Sequence, residues 1–163
     1  MNLHEFEPYR RLTTRAEARA ALDDTVSETT HALRMFDDRG EFYGFDRRPL
    51  IQGLAALMKR SPETRVSLVL HDTTFIVQRC PLLLELLRAF SPRLQVLRTD
   101  EAIRSFSRGL VIADEAVVLR RPHFDRPVTL IDYDEKAIAG AATLFEEILG
   151  HASPAVPGNH TGL

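Results

Sequence analysis

The hydrophobic residues of the chain alternate between short continuous runs and longer stretches at helical spacing. The runs at 29–36, 66–70 and 94–97 predict strands, and the central one is apolar enough to be covered on both faces of a sheet. Between these runs, apolar residues recur at intervals of three and four, which predicts helices with one buried face. Strands that alternate with helices favour parallel neighbours joined by right-handed crossovers.

Polar residues and prolines predict where the helices begin. Thr14 and Glu17 have the spacing of a capping box, and the short helix that they open is expected to end near Leu22. Asp46 is the predicted cap of the second helix. Pro81 suits the first turn of the third helix, because its missing N–H has no partner there in any case.

The pattern changes after residue 100. Apolar runs at 109–113 and 116–119 flank Asp114 and Glu115, which predicts a β-hairpin. A further strand is predicted at 128–131, and the helix that follows it has the most regular apolar face in the chain. The second half therefore adds a hairpin, a strand and a closing helix to the alternating first half.

These elements predict one α/β domain over residues 14–150, with a mixed, mostly parallel sheet and helices on both faces. Residues 1–13 are expected to be a flexible segment, and residues 151–163, rich in proline and glycine, to be a disordered tail. A length of 163 residues leaves room for one ordinary domain and little room for two.

Composition narrows the functional classes. The net charge of -2 makes nucleic acid and anionic membranes unlikely partners unless a local basic patch attracts them. The lone Cys80 excludes an intramolecular disulfide and fits a reducing compartment. There is no leader pattern at Met1–Arg11 and no apolar run near the ~20 residues of a membrane span, so we expect a cytoplasmic protein. The histidines lack metal-ligand spacing and no Gly-rich phosphate loop is present, so we predict no metal and no cofactor.

The predicted hairpin carries one motif that points to a family. Its first strand contains Ser107-x-Gly109-x-x-x-x-Asp114, and the segment 120–125 after the second strand is Arg-Arg-Pro-His-Phe-Asp. This resembles the phospholipase D-like superfamily, in which a strand carries His-x-Lys-x-x-x-x-Asp and a Gly-Ser segment follows the next strand. Only the aspartate matches. Residues 14–150 therefore resemble a degenerate single half-domain of that superfamily, and the Arg-Pro-His segment is similar to one in a group of bacterial proteins.

The resemblance implies a pseudoenzyme. In the family, the histidine attacks phosphorus and the lysine neutralises the charge of the phosphate. Ser107 has no activating base beside it in sequence, and Gly109 carries no charge, so we expect no useful phosphodiesterase activity. Asp114 has a simpler explanation, because aspartate tolerates the backbone angles of a tight turn.

The strongest candidate for a ligand site is the run of Arg120, Arg121 and His123. Alternation along the strand directs one arginine toward the family's cleft and the other toward solvent. Together with Arg104 and Arg108, which are nearby in sequence, these side chains would form a pocket for an anion such as phosphate. The alternative is a solvated edge whose basic side chains pair with nearby carboxylates.

His71 and Asp72 are a second candidate site, because ligands of open α/β sheets collect at the carboxyl ends of strands. An aspartate beside a histidine can select the tautomer of the imidazole. The favoured alternative is that Asp72 or Thr73 caps the next helix while His71 packs against it. Asp37 and Asp38 end the first predicted strand, where a turn is favoured over a magnesium site.

Three functions stay open from the sequence. The first is a non-catalytic module that binds a phosphate-containing small molecule or a protein partner. The second is a phosphodiesterase or nuclease rebuilt around His123 with Asp114 and Arg121. The third is a homodimeric scaffold, because the halves of the family that this chain resembles pair about a twofold axis.

Overall fold

The apolar runs become strands of one eight-stranded sheet in the computed structural model, which describes residues 9–156. The strands are Arg10–Leu12 (β1), Ala32–Asp37 (β2), Arg65–Leu70 (β3), Leu94–Thr99 (β4), Gly109–Ala113 (β5), Val117–Arg121 (β6), Thr129–Asp132 (β7) and Ala152–Pro154 (β8). The helices are Arg15–Glu28 (α1), Arg48–Arg60 (α2), Thr74–Arg79 (α3), Pro81–Phe90 (α4) and Glu135–Leu149 (α5).

The strand order in the sheet is β1-β7-β6-β5-β2-β3-β4-β8. β3 runs parallel to β2 and to β4, and every other neighbouring pair is antiparallel. The α/β fold with a mixed sheet is therefore confirmed, but the expectation of a mostly parallel sheet is wrong. The short turn between β5 and β6 can only join antiparallel strands, and this hairpin lies against β2 in the middle of the sheet.

Each face of the sheet has its own hydrophobic core. Helices α1 to α4 cover one face, where Leu22, Leu54 and Leu68 are fully buried. Helix α5 covers the opposite face, where Phe145 packs with Ile112. The prediction of helices on both faces is confirmed, and side chains from the same strand alternate between the two cores.

The predicted start of α1 is confirmed. The Thr14 hydroxyl accepts a hydrogen bond from the Glu17 N–H at 3.1 Å, and the Glu17 carboxylate accepts one from the Thr14 N–H at 3.2 Å. The helix continues past Leu22 to Glu28. The Thr25 hydroxyl donates to the Ala21 carbonyl one turn earlier, and the buried side chain of Val26 packs this last part of α1 into the core.

Two other expected helix boundaries differ from the structure. The residue that caps α2 is Arg47 rather than Asp46, and no side chain caps this helix. A short helix that the sequence did not predict, α3, precedes α4 and ends at Cys80, where Pro81 starts α4 as predicted. Six residues are too few to show a clear helical period, which is why α3 was missed.

Both segments that were expected to be unstructured contain an edge strand. β1 pairs with β7, and β8 pairs with β4, both antiparallel, so the predictions of a flexible start and a disordered tail are wrong at residues 10–12 and 152–154. These strands are short and mostly exposed, so they lack the apolar signal of a central strand. The remaining residues of the two segments, 1–8 and 157–163, lie outside the described residues.

A membrane-spanning helix would need a longer apolar stretch than any helix in residues 9–156 provides.

Candidate functional site

The strand that resembles the reactive strand of phospholipase D-like proteins is β5. Ser107 lies just before it, and the Ser107 carbonyl accepts a hydrogen bond from the Phe124 N–H at 2.8 Å. Gly109 opens the strand and is opposite Arg121 in the pairing with β6. A Cβ atom at Gly109 would lie 3.4 Å from the Arg121 Cβ and 3.6 Å from the Phe124 ring. Arg121 and Phe124 therefore occupy the space beside the position that resembles the family's lysine.

Asp114 has a structural role in the turn between β5 and β6. Asp114 and Glu115 have φ angles of 54° and 55°, the left-handed conformation of a two-residue hairpin turn. The Asp114 carboxylate accepts hydrogen bonds from the N–H groups of Thr30, His31 and Ala32 at 2.7, 2.7 and 2.8 Å. Burial raises the pKa of Asp114, but these donors outweigh it and hold the pKa below its usual value. The predicted turn role is correct, and the carboxylate additionally holds the start of β2.

Arg121 and Asp37, the last residues of β6 and β2, meet on the face that α1 to α4 cover. Their side chains are 3% and 4% exposed, and Arg121 Nη1 lies 3.5 Å from Asp37 Oδ1. Arg121 Nη2 donates to the Phe124 carbonyl at 2.7 Å, and the guanidinium lies 3.6 Å from the centre of the Phe42 ring. Burial raises the pKa of Asp37 above its usual range, and the charge of Arg121 opposes that rise.

This pair forms the floor of a cavity of about 470 Å³, here called the cleft cavity. The lining residues are Arg15, Asp37, Asp38, Arg39, Glu41, Phe42, Arg121, Phe124, Asp125, Arg126 and Pro127. Four arginines and four carboxylates balance, so the lining carries no net formal charge. A lining of this kind does not select an anion.

A second cavity of about 520 Å³ lies between the β5–β6 hairpin and α5, and is here called the basic cavity. Arg108, Arg120 and Lys136 extend into it, and among residues 9–156 no carboxylate lines it. The Asp132 carboxylate lies 3.8 Å from Arg120 Nη2, while Arg120 Nε is buried and has no hydrogen-bond partner in the described structure. Arg121, two glycines and six apolar residues complete the lining, namely Gly109, Leu110, Pro122, Leu130, Ala137, Gly140, Ala141 and Leu144.

The structure separates the residues of the predicted anion pocket. Arg120 and Arg121 face opposite sides of the sheet, as strand alternation predicts. Arg108 joins Arg120 in the basic cavity. Arg104 lines neither cavity, and its guanidinium approaches the Thr99 carbonyl at 3.4 Å.

His123 also lies outside both cavities. Its side chain is 49% exposed, and its Nδ1 accepts a hydrogen bond from the Asp125 N–H at 3.1 Å. The Asp125 carboxylate lies 3.5 Å from the same nitrogen. This is the solvated edge that was the alternative to an anion pocket, and it brings no imidazole to Arg121.

His71 and Asp72 are both engaged within the fold. His71 is buried, with Nδ1 at 2.5 Å from the Thr99 hydroxyl and Nε2 at 2.7 Å from the Phe106 carbonyl. Because a carbonyl only accepts, Nε2 carries a proton. The Asp72 carboxylate accepts from the Thr74 N–H at 2.8 Å in the first turn of α3, and hydrogen bonds from Thr74 lower the pKa of Asp72. Asp72 thus holds the start of α3 as the capping alternative expected, but the cap residue is Thr73, whose side chain makes no capping hydrogen bond. The imidazole of His71 packs with Phe36 and Phe124 rather than on α3.

Sequence reasoning missed the two residues that complete the cavities. Asp37 was assigned to a turn, and its Oδ2 does accept from the Gly40 N–H at 3.2 Å, but its other oxygen faces Arg121. No role in a ligand site was predicted for Lys136. The available signal for Asp37 was its place at the end of a strand; the signal for Lys136 was its place in the first turn of α5. No group of three metal-ligating side chains occurs among residues 9–156.

Comparison with known proteins gives a family and a fold. A family model described as a domain of unknown function (DUF7931) matches residues 10–148. No curated protein matches the sequence at a significant level. The structure is similar to TrmBL2, an archaeal chromatin protein whose structure shows a mode of DNA binding, with a TM-score of 0.68 and 16% identity. The match covers 93% of this chain and 55% of the archaeal chain, so this chain spans about half of that protein's length.

Two phospholipase D-like structures match over almost their whole length. Nuc from Salmonella typhimurium, a phospholipase D family member, has a TM-score of 0.65 and 12% identity, covering 91% of this chain and 99% of its own. NucT from Helicobacter pylori has a TM-score of 0.64 and 12% identity, covering 90% and 98%. The fold is therefore phospholipase D-like, which confirms the resemblance. At such identities the similarity establishes the fold and leaves activity open.

Proposed function

We propose that this chain, which belongs to the family of the domain of unknown function DUF7931, is a non-catalytic phospholipase D-like module that binds a small organic anion. The site is the basic cavity. The observation that carries the proposal is the convergence of Arg108, Arg120 and Lys136 on a lining whose other residues, apart from Arg121, are apolar or glycine.

The charges of the basic cavity favour an anion. The three cations come from the loop before β5, from β6 and from α5, and the Asp132 carboxylate lies 3.8 Å from Arg120 Nη2. Cations held close together repel one another, and a bound anion relieves that repulsion. Two guanidinium groups also offer paired donors that suit phosphate and carboxylate oxygens.

The apolar part of the lining favours an anion that carries an apolar group. Leu110, Leu130 and Leu144 lie beside the cations, so a phosphate or carboxylate bound by the arginines places its substituent against them. Gly140 leaves this space open, because a Cβ atom there would meet nothing within 4 Å. An inorganic ion would contact the cations of the basic cavity but not its apolar residues.

The geometry around β5 supports the absence of catalysis. Ser107 and Gly109 stand where the family that the chain resembles has its histidine and lysine, and Phe124 lies against Gly109. Both ring nitrogens of His71 are engaged within the protein, and His123 is on the surface. Neither of these two imidazoles is therefore placed to attack a phosphorus atom beside Arg121.

Calorimetric titration with phenyl phosphate tests the binding proposal. We expect saturable binding, a loss of about tenfold or more in Arg120→Gln because a charged hydrogen bond is removed, and little binding in Gly140→Phe, whose ring occupies the cavity. Arg65→Gln, an exposed arginine of β3, is the matched control and should bind like the parent protein. Octanoate in a parallel titration separates carboxylate from phosphate recognition. Equal affinity in all three variants would overturn the proposal.

Turnover of bis(p-nitrophenyl) phosphate tests the non-catalytic assignment. We expect no rate above that of buffer. Hydrolysis by the pure protein that disappears in His123→Ala would instead establish the phosphodiesterase rebuilt around that histidine. The same loss in Arg121→Lys would place that activity in the cleft cavity.

A further inference from the structure

The basic cavity lies next to an edge of the sheet. Leu130 of β7 is part of its lining, and the strand beside β7 is β1, which ends the sheet on that side. Helix α5 packs mainly on β5, β6 and β8, so it leaves the surface of β7 and β1 less covered. Leu130 is accordingly half-buried and Arg11 of β1 is exposed. The cavity therefore borders a surface that a ligand can reach.

The strand register places Arg11 on the same face as the basic cavity. Arg11 is directly opposite Leu130 in the ladder between β1 and β7, and Leu130 is directly opposite Arg120 in the ladder between β7 and β6. Side chains that oppose each other in an antiparallel pair lie on the same face of the sheet. The next residue, Leu12, belongs to the core under α1 to α4, on the other face, as alternation requires. Arg11, Leu130 and Arg120 therefore form one row, with the leucine between the two arginines.

The row separates the two arginines by two strand spacings. Neighbouring strands lie about 4.8 Å apart, so the α-carbons of Arg11 and Arg120 are roughly 10 Å apart. Both side chains are long and flexible, and each guanidinium can bind a phosphate or carboxylate through paired donors. An anionic group held by Arg120 can therefore belong to a ligand whose second anionic group reaches Arg11 across Leu130.

The charges along this face favour more than one anionic group. The Asp132 carboxylate lies 3.8 Å from Arg120 Nη2, and its other oxygen accepts a backbone N–H of the turn before α5 at 2.8 Å. Arg108 and Lys136 add two cations inside the cavity, and Arg11 adds one at its border. Two negative groups on one ligand relieve the repulsion among these cations better than a single group does.

We propose that the ligand of the basic cavity carries two separated anionic groups, as an organic bisphosphate does. One group binds Arg108, Arg120 and Lys136, the other binds Arg11, and the part of the ligand that joins them lies over Leu130. This inference rests on the proposed function, because it narrows the small organic anion of that proposal to a class with a defined spacing of charge.

Two isomers of phenylene bisphosphate test the inference by calorimetric titration beside phenyl phosphate. The 1,4 isomer has its phosphates at opposite ends of the ring, whereas the 1,2 isomer has the same charge with both phosphates at one end. We expect the 1,4 isomer to bind at least about fivefold more tightly than the other two compounds, because only its second phosphate reaches Arg11. Equal affinity of the two isomers, with phenyl phosphate bound, overturns this inference and leaves the proposed function standing. Absence of binding by all three compounds overturns both.

Arg11 and its neighbour Arg10 provide a matched pair of variants. Both arginines are exposed on β1, but Arg10 is opposite Ile131, which belongs to the core under α1 to α4, so Arg10 lies on the other face of the sheet. Arg11→Gln should abolish the preference for the 1,4 isomer, Arg11→Lys should retain part of it because the charge remains, and Arg10→Gln should keep it in full. A preference that survives in Arg11→Gln, or that Arg10→Gln removes to the same extent, would show that the second phosphate does not bind Arg11.

Discussion

Asp114 shows how a single carboxylate connects distant parts of the chain. It lies in the tight turn after β5, yet its oxygens accept the N–H groups of Thr30, His31 and Ala32 at the start of β2. Thr30 and His31 precede the ladder between β2 and β3, and Ala32 is its first residue, so the Asp114 carboxylate fixes the point at which the strand begins. The residue that matches the enzyme motif therefore stabilises the fold, and its carboxylate serves as a hydrogen-bond acceptor.

Asp114→Ala should lower the free energy of unfolding by about 2 kcal/mol at pH 7, because it removes three hydrogen bonds to a carboxylate, one of them partly buried. The folded pKa of Asp114 is lowered, so its contribution is full above the unfolded pKa of about 3.9 and is lost as pH falls through the folded pKa. Urea denaturation across this range should show the variant and the parent converging in acid. Glu115→Ala, the exposed neighbour in the same turn, should change stability by less than about 0.5 kcal/mol. A difference that stays constant down to pH 2 would contradict this role.

Helices α2 and α5 each contain one glycine, and the two glycines have different surroundings. Gly53 of α2 faces α1, and a Cβ atom there would lie 3.3 Å from a methyl group of Val26. Gly140 of α5 has open space around it, because it borders the basic cavity. Glycine lets α1 and α2 approach closely, whereas in α5 it keeps a cavity accessible.

Gly140→Ala should raise the free energy of unfolding by up to about 1 kcal/mol, because alanine restricts the unfolded chain and favours the helix. Gly53→Ala has the same gain in propensity but crowds Val26, so it should give no net stabilisation. Thermal and urea denaturation of the two variants in parallel measure the difference. A larger gain at Gly53 than at Gly140 would show that the packing of α1 on α2 is looser than described.

At the scale of the whole molecule, the basic cavity and the cleft cavity lie on opposite faces of one sheet, and adjacent residues of β6 line them. Arg120 lines the basic cavity, and Arg121 lines both cavities. The net charge of -2 gives no general attraction to DNA, the ligand described for the archaeal relative in fold.

The homodimer remains a prediction, and this prediction concerns the molecule as a whole. The chain corresponds to one phospholipase D-like unit, and pairing about a twofold axis is what the resemblance implies. Light scattering coupled to gel filtration should give twice the mass of 18.4 kDa at high protein concentration. A mass of one chain at every concentration would remove the scaffold hypothesis.

Much of the architecture follows from local patterns in the sequence. Continuous apolar runs and helical spacing predicted the central strands, α2, α4, α5 and the β5–β6 hairpin, because a residue's neighbours in sequence specify which face it buries. Alternation likewise placed Arg120 and Arg121 on opposite faces. The edge strands β1 and β8 escaped prediction, since exposed strands carry no apolar signal.

Contacts between residues that are distant in sequence depended on the order of the strands in the sheet. β5 inserts beside β2, which brings Arg121 to Asp37 and Asp114 to Thr30, and α5 returns across the hairpin to bring Lys136 to Arg120. No local period encodes such pairings, because they arise only when separate elements pack on one sheet. The sequence by itself therefore determined the fold class, because local patterns specify the elements. Only the tertiary structure decided which residues line the two cavities, because long-range contacts bring those residues together.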